Sequence, residues 1–243
     1  MSENFNLSFE EFKAHARTGA VVPLIRTVFA GDETPVGLYE KLSKGKSGTF
    51  LLESAEQGVW SRFSFIGVNS RASLRQADGK IEISNLESVL PTGEQLAKES
   101  LEAIDQIQTS WRSAAIADLP PLSSGLVGFF AWDIIRALEK LEVAPPKTYN
   151  SPVVHLELVR DLVVVDHKTS NLLLVSNIYC SENTDLASEY LLAQERINDM
   201  LAQISVANQP AISAEDGSAD TDIKHLISNS DFIAMVEKAK EHV

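Results

Sequence analysis

Between Gly48 and Leu86 the apolar residues arrive in short bursts rather than at helical spacing. The runs are Thr49 to Ser54, Ser61 to Val68, Ala72 to Gln76 and Lys80 to Ile83, with turn residues between them. Runs of this length and content read as strands. Asp78-Gly79 can take positive φ at both central positions, which a two-residue hairpin turn requires. The pattern returns at Val153 to Val159, Leu162 to Asp166 and Leu172 to Ile178, the last two predicted to form a hairpin across His167 to Asn171. Val21 to Phe29 is β-rich, and Pro23 marks it as an edge or a strand start. Gly125 to Asp133 reads as a buried strand whose glycines allow close backbone approach.

Helical spacing fills the gaps. Ser8 with Glu11 forms a capping box, with Leu7 and Phe12 as its hydrophobic staple, and that helix is expected to end near Gly19. Thr34-Pro35 reads as an N-cap followed by proline at the first helical position, in a helix that stops at Gly45. Further helices are expected over Thr92 to Trp111, Asp133 to Leu141 and Asp185 to Ile204, with a last one capped by Ser230. The expected fold class is α+β: largely antiparallel sheets with helices packed outside.

Ala207 to Asp222 is polar and acidic, with Pro210 and Gly217. It reads as a linker. The predicted organisation is therefore a domain over 1–206, a linker over 207–222, and the start of a second domain over 223–243. The final helix places Phe232, Met235, Val236, Ala239 and Val243 on one unclosed face, so the chain reads as the front part of a longer polypeptide.

Lys plus Arg is 21 and Asp plus Glu is 34, a net charge of −13. Such a chain repels phosphate, so nucleic acid and anionic membranes are not expected partners. Its apolar runs are too short to span a bilayer. Met1-Ser2-Glu3-Asn4 does not open a secretory signal, and Cys180 is the single cysteine, which points to a reducing cytoplasm.

The phosphate loop, the His-Glu-x-x-His zinc motif, the Gly-x-Ser-x-Gly elbow and paired Cys-x-x-Cys are all missing. His15, His155, His167, His225 and His242 are scattered, and surface or packing roles are the simpler reading for each. Cys180 reads as a small buried residue, Gly125 and Gly128 as a packing device, and Asp133 with Arg136 as an i,i+3 ion pair. Glu53 stands apart. It follows Phe50-Leu51-Leu52 directly and precedes Ser54. An ionised carboxylate beside a core is costly unless paired, so Glu53 either turns to solvent or meets a cation. Arg62 is either a solvated strand residue or its cross-strand partner. A carboxylate, a hydroxyl and apolar walls together suit the ammonium end of a free amino acid.

The order Thr34-Pro35-Val36, Phe50-Leu51-Leu52-Glu53-Ser54, Arg62-Phe63-Ser64-Phe65-Ile66-Gly67 and Gly125-Leu126-Val127-Gly128-Phe129-Phe130-Ala131-Trp132-Asp133 resembles the N-terminal region of anthranilate synthase component I. The resemblance runs from about Phe29 to the end. It departs from the common pattern at Ser124, where relatives often carry glycine, and at Phe130 and Trp132, where tyrosines are frequent. It implies a lyase of tryptophan biosynthesis that converts chorismate and ammonia to anthranilate and pyruvate. It also implies magnesium, and a glutamine amidotransferase subunit, component II, as the ammonia source. The magnesium ligands and catalytic residues would lie beyond these 243 residues, leaving none in this chain, which is therefore expected to be inactive alone. What the resemblance assigns here is feedback inhibition: Glu53 and Ser54 would line an L-tryptophan site bordered by Pro35. The nearest rival is aminodeoxychorismate synthase component I, against which the Ser64 to Gly67 run argues. A rival of another class is an amino-acid-binding module without catalysis.

Overall fold

In a computed structural model the described residues are 5–53, 62–77, 80–85, 89–91, 94–141, 150–207 and 224–242. The chain divides into two compact units, residues 1–208 and 209–243. The expected linker falls almost entirely outside the described residues.

In the first unit the element order is α1 (Phe9–His15), β1 (Ala20–Phe29), α2 (Pro35–Ser43), β2 (Phe50–Leu52), β3 (Phe63–Ala77), β4 (Lys80–Ile83), α3 (Ser100–Ser110), β5 (Arg112–Ser113) and β6 (Leu126–Phe130). A 3-10 turn (Trp132–Ile134), α4 (Ile135–Leu138), β7 (Val154–Asp166), β8 (Asn171–Cys180) and α5 (Leu186–Ile204) follow. The strands make one eight-stranded sheet, in the order β2-β3-β7-β8-β1-β5, with β4 on β3 and β6 on β7. All pairs are antiparallel except β1 with β5. The α+β class agrees with the expectation, but the strands form one sheet, not several.

Alternation along the strands separates two buried layers. One face gathers Val22 and Leu24, Ile66 and Val68, Val163 and Val165, and Leu172 and Leu174 against Phe12 of α1, Leu38 and Leu42 of α2, and Ile197 and Met200 of α5. On the other face Leu74, Leu156, Leu158 and Tyr179 meet Ala103, Ile104 and Ile107 of α3. Period-two alternation of this kind is what lets one sheet carry two cores.

Four local expectations need correction. The polar residues Asn69-Ser70-Arg71 looked like a break between strands. Instead β3 runs through them, absorbing them as register shifts against β7. β7 likewise crosses Arg160 and Asp161 without ending, and its completely buried Asp161 accepts from Ser176 Oγ (2.7 Å), Asn69 Nδ2 (3.0 Å) and Arg160 Nε (3.0 Å), with Arg196 Nε at 3.3 Å. The helix predicted from Thr92 starts only at Ser100. The Gln106 carboxamide instead ties down the backbone ahead of it, accepting from Ala97 N (3.0 Å) and donating to Gln95 O (3.3 Å). The Gly125 to Asp133 strand is not buried: Phe129, Phe130 and Trp132 are exposed to 46%, 49% and 88%.

Other expectations hold, two of them with shifted helix ends. The capping box at Ser8 is present, with α1 ending at His15 rather than near Gly19. Pro23 lies on the edge of β1 that Asn6 covers by accepting from Ile25 N and donating to Pro23 O. Ala77 pairs with Lys80, as a two-residue hairpin requires, although Asp78 and Gly79 lie outside the described residues. A Cβ on Gly128 would sit 1.9 Å from the His155 carbonyl oxygen, so close backbone approach does dictate that glycine. In the second unit α6 (Asn229–Lys240) is capped by Ser228, not Ser230, and leaves Phe232 and Met235 exposed.

Candidate functional site

One end of the sheet brings together Glu53, Arg62 and His167. The β7–β8 hairpin turns there, from Asp166 to Asn171. The chain leaving β1 is held against that turn by Ala30 N donating to Ser170 O at 2.9 Å. It then enters α2 through Thr34, whose hydroxyl accepts from Gly37 N at 3.1 Å. Pro35 is the first residue of that helix and is half-buried. A proline N-terminal to the first hydrogen-bonded turn loses no donor, because that N–H would have no helical partner.

Helix α2 is fixed at both flanks. Lys41 is buried, pairs with Glu33 just before the cap, and donates to the Ile204 carbonyl at the end of α5 at 2.9 Å. A cation is favoured at a helix C-terminus, where carbonyls are left unpaired. The Tyr39 and Thr49 hydroxyls are 3.2 Å apart, which links the helix to the approach to β2.

Strand β2 pairs with β3 in the register Phe50–Gly67, Leu51–Ile66 and Leu52–Phe65. Leu51 and Ile66 pack into the same cluster as Leu38 and Leu42 of α2. Alternation returns Glu53 to that face, one step beyond the last pair. Glu53 is exposed. Of the two readings left open by sequence, the solvent-facing one describes this ligand-free chain. Ser54 lies outside the described residues.

Arg62 is the partner of a different acid. Its Nε and Nη2 donate to Asp166 Oδ1 and Oδ2 at 2.8 and 2.6 Å, a bidentate fork that joins β3 to the end of β7. The guanidinium also lies 4.6 Å from the centre of the Phe63 ring. The Arg62 hydrogen bonds hold the Asp166 carboxyl down at about 2, against the opposing effect of burial. Beside this fork, His167 N donates to Arg62 O at 2.9 Å, and the His167 Nε2 lies 2.8 Å from the Ser64 hydroxyl. Sequence reasoning treated Asp166 and His167 as the close of a strand and a bland turn. The available signal was the Val163-Val164-Val165-Asp166 run, which repeats the pattern of an acid ending an apolar run seen at Glu53.

The remaining candidates sit elsewhere. Cys180 is buried, and burial pushes its thiol up to about 11, which suits packing and not reactivity. Asp133 and Arg136 form the expected pair at 3.2 Å. Among the described residues no group of three or more His, Cys, Asp or Glu side chains could hold a metal, and no helix is long and apolar enough to cross a membrane.

Comparison with known proteins places this architecture among others. Residues 47–243 match a family described as chorismate binding enzyme. Anthranilate synthase component 1 of Arthrobacter globiformis is 35% identical over 97% of this chain, and the match spans 44% of that protein. The protein of the same name from Mycolicibacterium smegmatis is 40% identical over 73% of this chain and 34% of its own length. The chain thus spans less than half the length of these relatives. Anthranilate synthase component I from Streptococcus pneumoniae TIGR4 shares the fold, with a TM-score of 0.57 at 22% identity over 88% of this chain and 44% of that one.

Proposed function

The chain belongs to the chorismate-binding enzyme family, and from that premise we propose that it is the N-terminal portion of an anthranilate synthase component I and carries a feedback site for L-tryptophan. In this reading Glu53 meets the ammonium group, Ser54 adds a hydroxyl beside it, and Pro35 borders the site. The observation that carries the proposal is positional. Glu53 is exposed, directly follows β2 on the face of the sheet that α2 covers, and lies at the end of the sheet where Pro35 opens that helix. An exposed carboxylate flanked by apolar strands suits a ligand with an ammonium group and an apolar body.

The same reading assigns the 1–206 segment to regulation, 207–222 to a linker and 223–243 to the opening of a chorismate-binding region. The conversion of chorismate and ammonia to anthranilate and pyruvate, the magnesium that it uses, and the contact with a glutamine amidotransferase subunit are assigned to the whole enzyme. None is assigned to a residue of this chain.

The test is calorimetric titration of the 243-residue chain with L-tryptophan, alongside Glu53→Gln. Binding that the substitution abolishes supports the site. Binding that survives it unchanged moves the site elsewhere. In the complete enzyme, replacing Ser54 with phenylalanine is expected to relieve tryptophan inhibition while leaving uninhibited turnover nearly intact.

A further inference from the structure

Where β7 and β8 stop pairing, at Asp161 and Ser176, the sheet opens. The earlier part of β7 pairs with β6 on that side, and β8 beyond Ser176 pairs only with β1 among the described residues. Side chains rather than a backbone ladder bridge the gap. Asn177 Nδ2 donates to Ser123 O at 2.8 Å, and the Tyr179 hydroxyl donates to Val159 O at 2.6 Å. Val159 N donates to Gly125 O at 2.9 Å, which ties the entry of β6 to β7.

Helix α3 covers this opening without filling it. A cavity of about 90 Å³ remains, several times the roughly 10–15 Å³ that one water requires. Ile107, Leu126 and Leu158 wall it together with the rings of Trp111 and Tyr179, which are 7% and 3% exposed. Ile107, Leu126 and Leu158 also line a second space of about 10 Å³, towards Leu74 and Ile83. That space has room for little more than a methyl group, so it closes the apolar end and limits an occupant to about one ring.

The aromatic pair sets the shape of what fits. Trp111 and Tyr179 meet edge to face, with ring centres 5.1 Å apart and planes at 86°. A third flat ring extends such an arrangement favourably at centroid distances of about 4.5–7 Å.

The mouth sets the polarity. It is formed by Gln108 of α3 and Ser113 of β5, both exposed, and by half-buried Ser124 ahead of β6. Their side chains make no hydrogen bond to other described residues, and each can both donate and accept. A gap left by imperfect core packing would be apolar throughout, whereas apolar walls with a few convergent polar groups are the make-up of a small-molecule site. None of the described side chains lining the cavity is charged. The Arg71 guanidinium lies 4.6 Å from the centre of the Tyr179 ring and 5.4 Å from that of Trp111, but it is not part of the lining. A charged ligand group would therefore lose its water without gaining a partner.

We propose that this opening in the sheet is a second binding site, for a neutral ligand one aromatic ring in size that carries a hydroxyl group. The ring packs against Trp111 and Tyr179, and the hydroxyl bonds to Ser124 at the mouth. The site shares no residue with the Glu53 site and does not depend on that reading.

The experiment titrates phenol, toluene and benzoate into the ¹⁵N-labelled 243-residue chain at pH 7 and follows the Trp111 Nε1–H and the Leu126 and Leu158 amides by NMR. Phenol is expected to shift these signals and to bind roughly tenfold more tightly than benzoate, whose carboxylate must be desolvated without a cation in the lining. Ser124→Ala weakens phenol roughly two- to tenfold, the range that one neutral hydrogen bond spans, and leaves toluene unchanged. Ser124→Phe, and Gln108→Trp from the helix side, fill the mouth and abolish binding of both; circular dichroism confirms that each variant folds. Phenol that leaves the three signals unmoved up to its solubility limit overturns the proposal. So does phenol binding that is indifferent to Ser124→Ala or survives both plugs, and so does benzoate binding more tightly than phenol.

Discussion

The two ends of β7 are built on opposite terms. At its last residue Asp166 takes a bidentate fork from Arg62, and His167 beyond it meets Ser64, so directional polar contacts hold β3 and β7 together. At its first residues Val154 to Leu158 pair with β6, which among the described residues has no strand on its other side and exposes Phe129 and Phe130. There the contact is backbone against backbone, tight enough to demand Gly128. The polar end leaves Glu53 and His167 exposed to solvent, as recognition of a polar ligand needs. The other end presents apolar surface, the kind of face that proteins cover with another surface. One strand thus separates a place suited to a small polar ligand from a place suited to packing.

Between the ends lies Asp161, where β7 changes neighbour from β6 to β8. Its replacement is expected to have the largest effect, because it bears on both ends at once. Asp161→Ala would leave Arg196 and Arg160 without their carboxylate, and removing one partner of a buried ion pair costs about 3–5 kcal/mol. Urea unfolding measures this. A loss below about 1 kcal/mol would show that the fork in the sheet does not depend on the acid.

Gly128→Ala comes next. The added methyl cannot coexist with the His155 carbonyl at 1.9 Å, so β6 must shift away from β7, at the cost of about 1–3 kcal/mol that overpacking typically brings. The damage should stay local. Amide exchange in β6 should accelerate while the amides of Val163 to Val165 keep their protection. Uniform acceleration across both ends would contradict their independence.

At the polar end the effect is smaller and set by pH. The Arg62 hydrogen bonds hold Asp166 at about 2 when folded, below the ordinary carboxylate value of ~3.9. As pH falls the unfolded chain takes up that proton first, so the stability Asp166 contributes is complete above about pH 5 and is lost as pH falls through the folded value. The difference in unfolding free energy between wild type and Asp166→Asn should therefore be flat at neutral pH and shrink in acid. A difference that is constant down to pH 2 would mean that the Arg62 fork does not govern the carboxyl.

These contrasts also explain what could be read in advance. Caps and helix starts at Ser8, Thr34 and Asp185 were legible because each depends on a few adjacent residues. So was the edge position of Pro23. Strand continuity through Asn69-Ser70-Arg71 was not, because their partners are distant: Asn69 donates to Asp161, 92 positions away, Ser70 to Gly48 O, and Arg71 lies over the Tyr179 ring. The exposure of Phe129 and Trp132 was hidden for the same kind of reason: composition says that a residue prefers burial, and only topology says whether a neighbour exists to bury it. In the candidate site, Glu53 and Pro35 stood out locally, whereas the Arg62–Asp166 and Ser64–His167 contacts span 104 and 103 positions and needed the register of β3 on β7.

The smallest expected change in stability falls on the residue with the largest expected change in binding. Glu53 and Asp166 both end apolar runs, yet Asp166 is nearly buried and engaged, while Glu53 is exposed. An acid retained next to apolar strands without burial does little for the fold, and Glu53→Gln should move the unfolding free energy by no more than about 0.5 kcal/mol, the usual range for surface positions. The same substitution keeps shape and hydrogen-bonding atoms but removes the charge, so it should abolish the binding of an ammonium ligand. Measuring both quantities on one variant separates the two roles that a carboxylate can have at the end of a strand. If Glu53→Gln instead destabilises the chain as much as Asp166→Asn does, the two acids are structural equivalents, and the contrast on which the ligand site depends disappears.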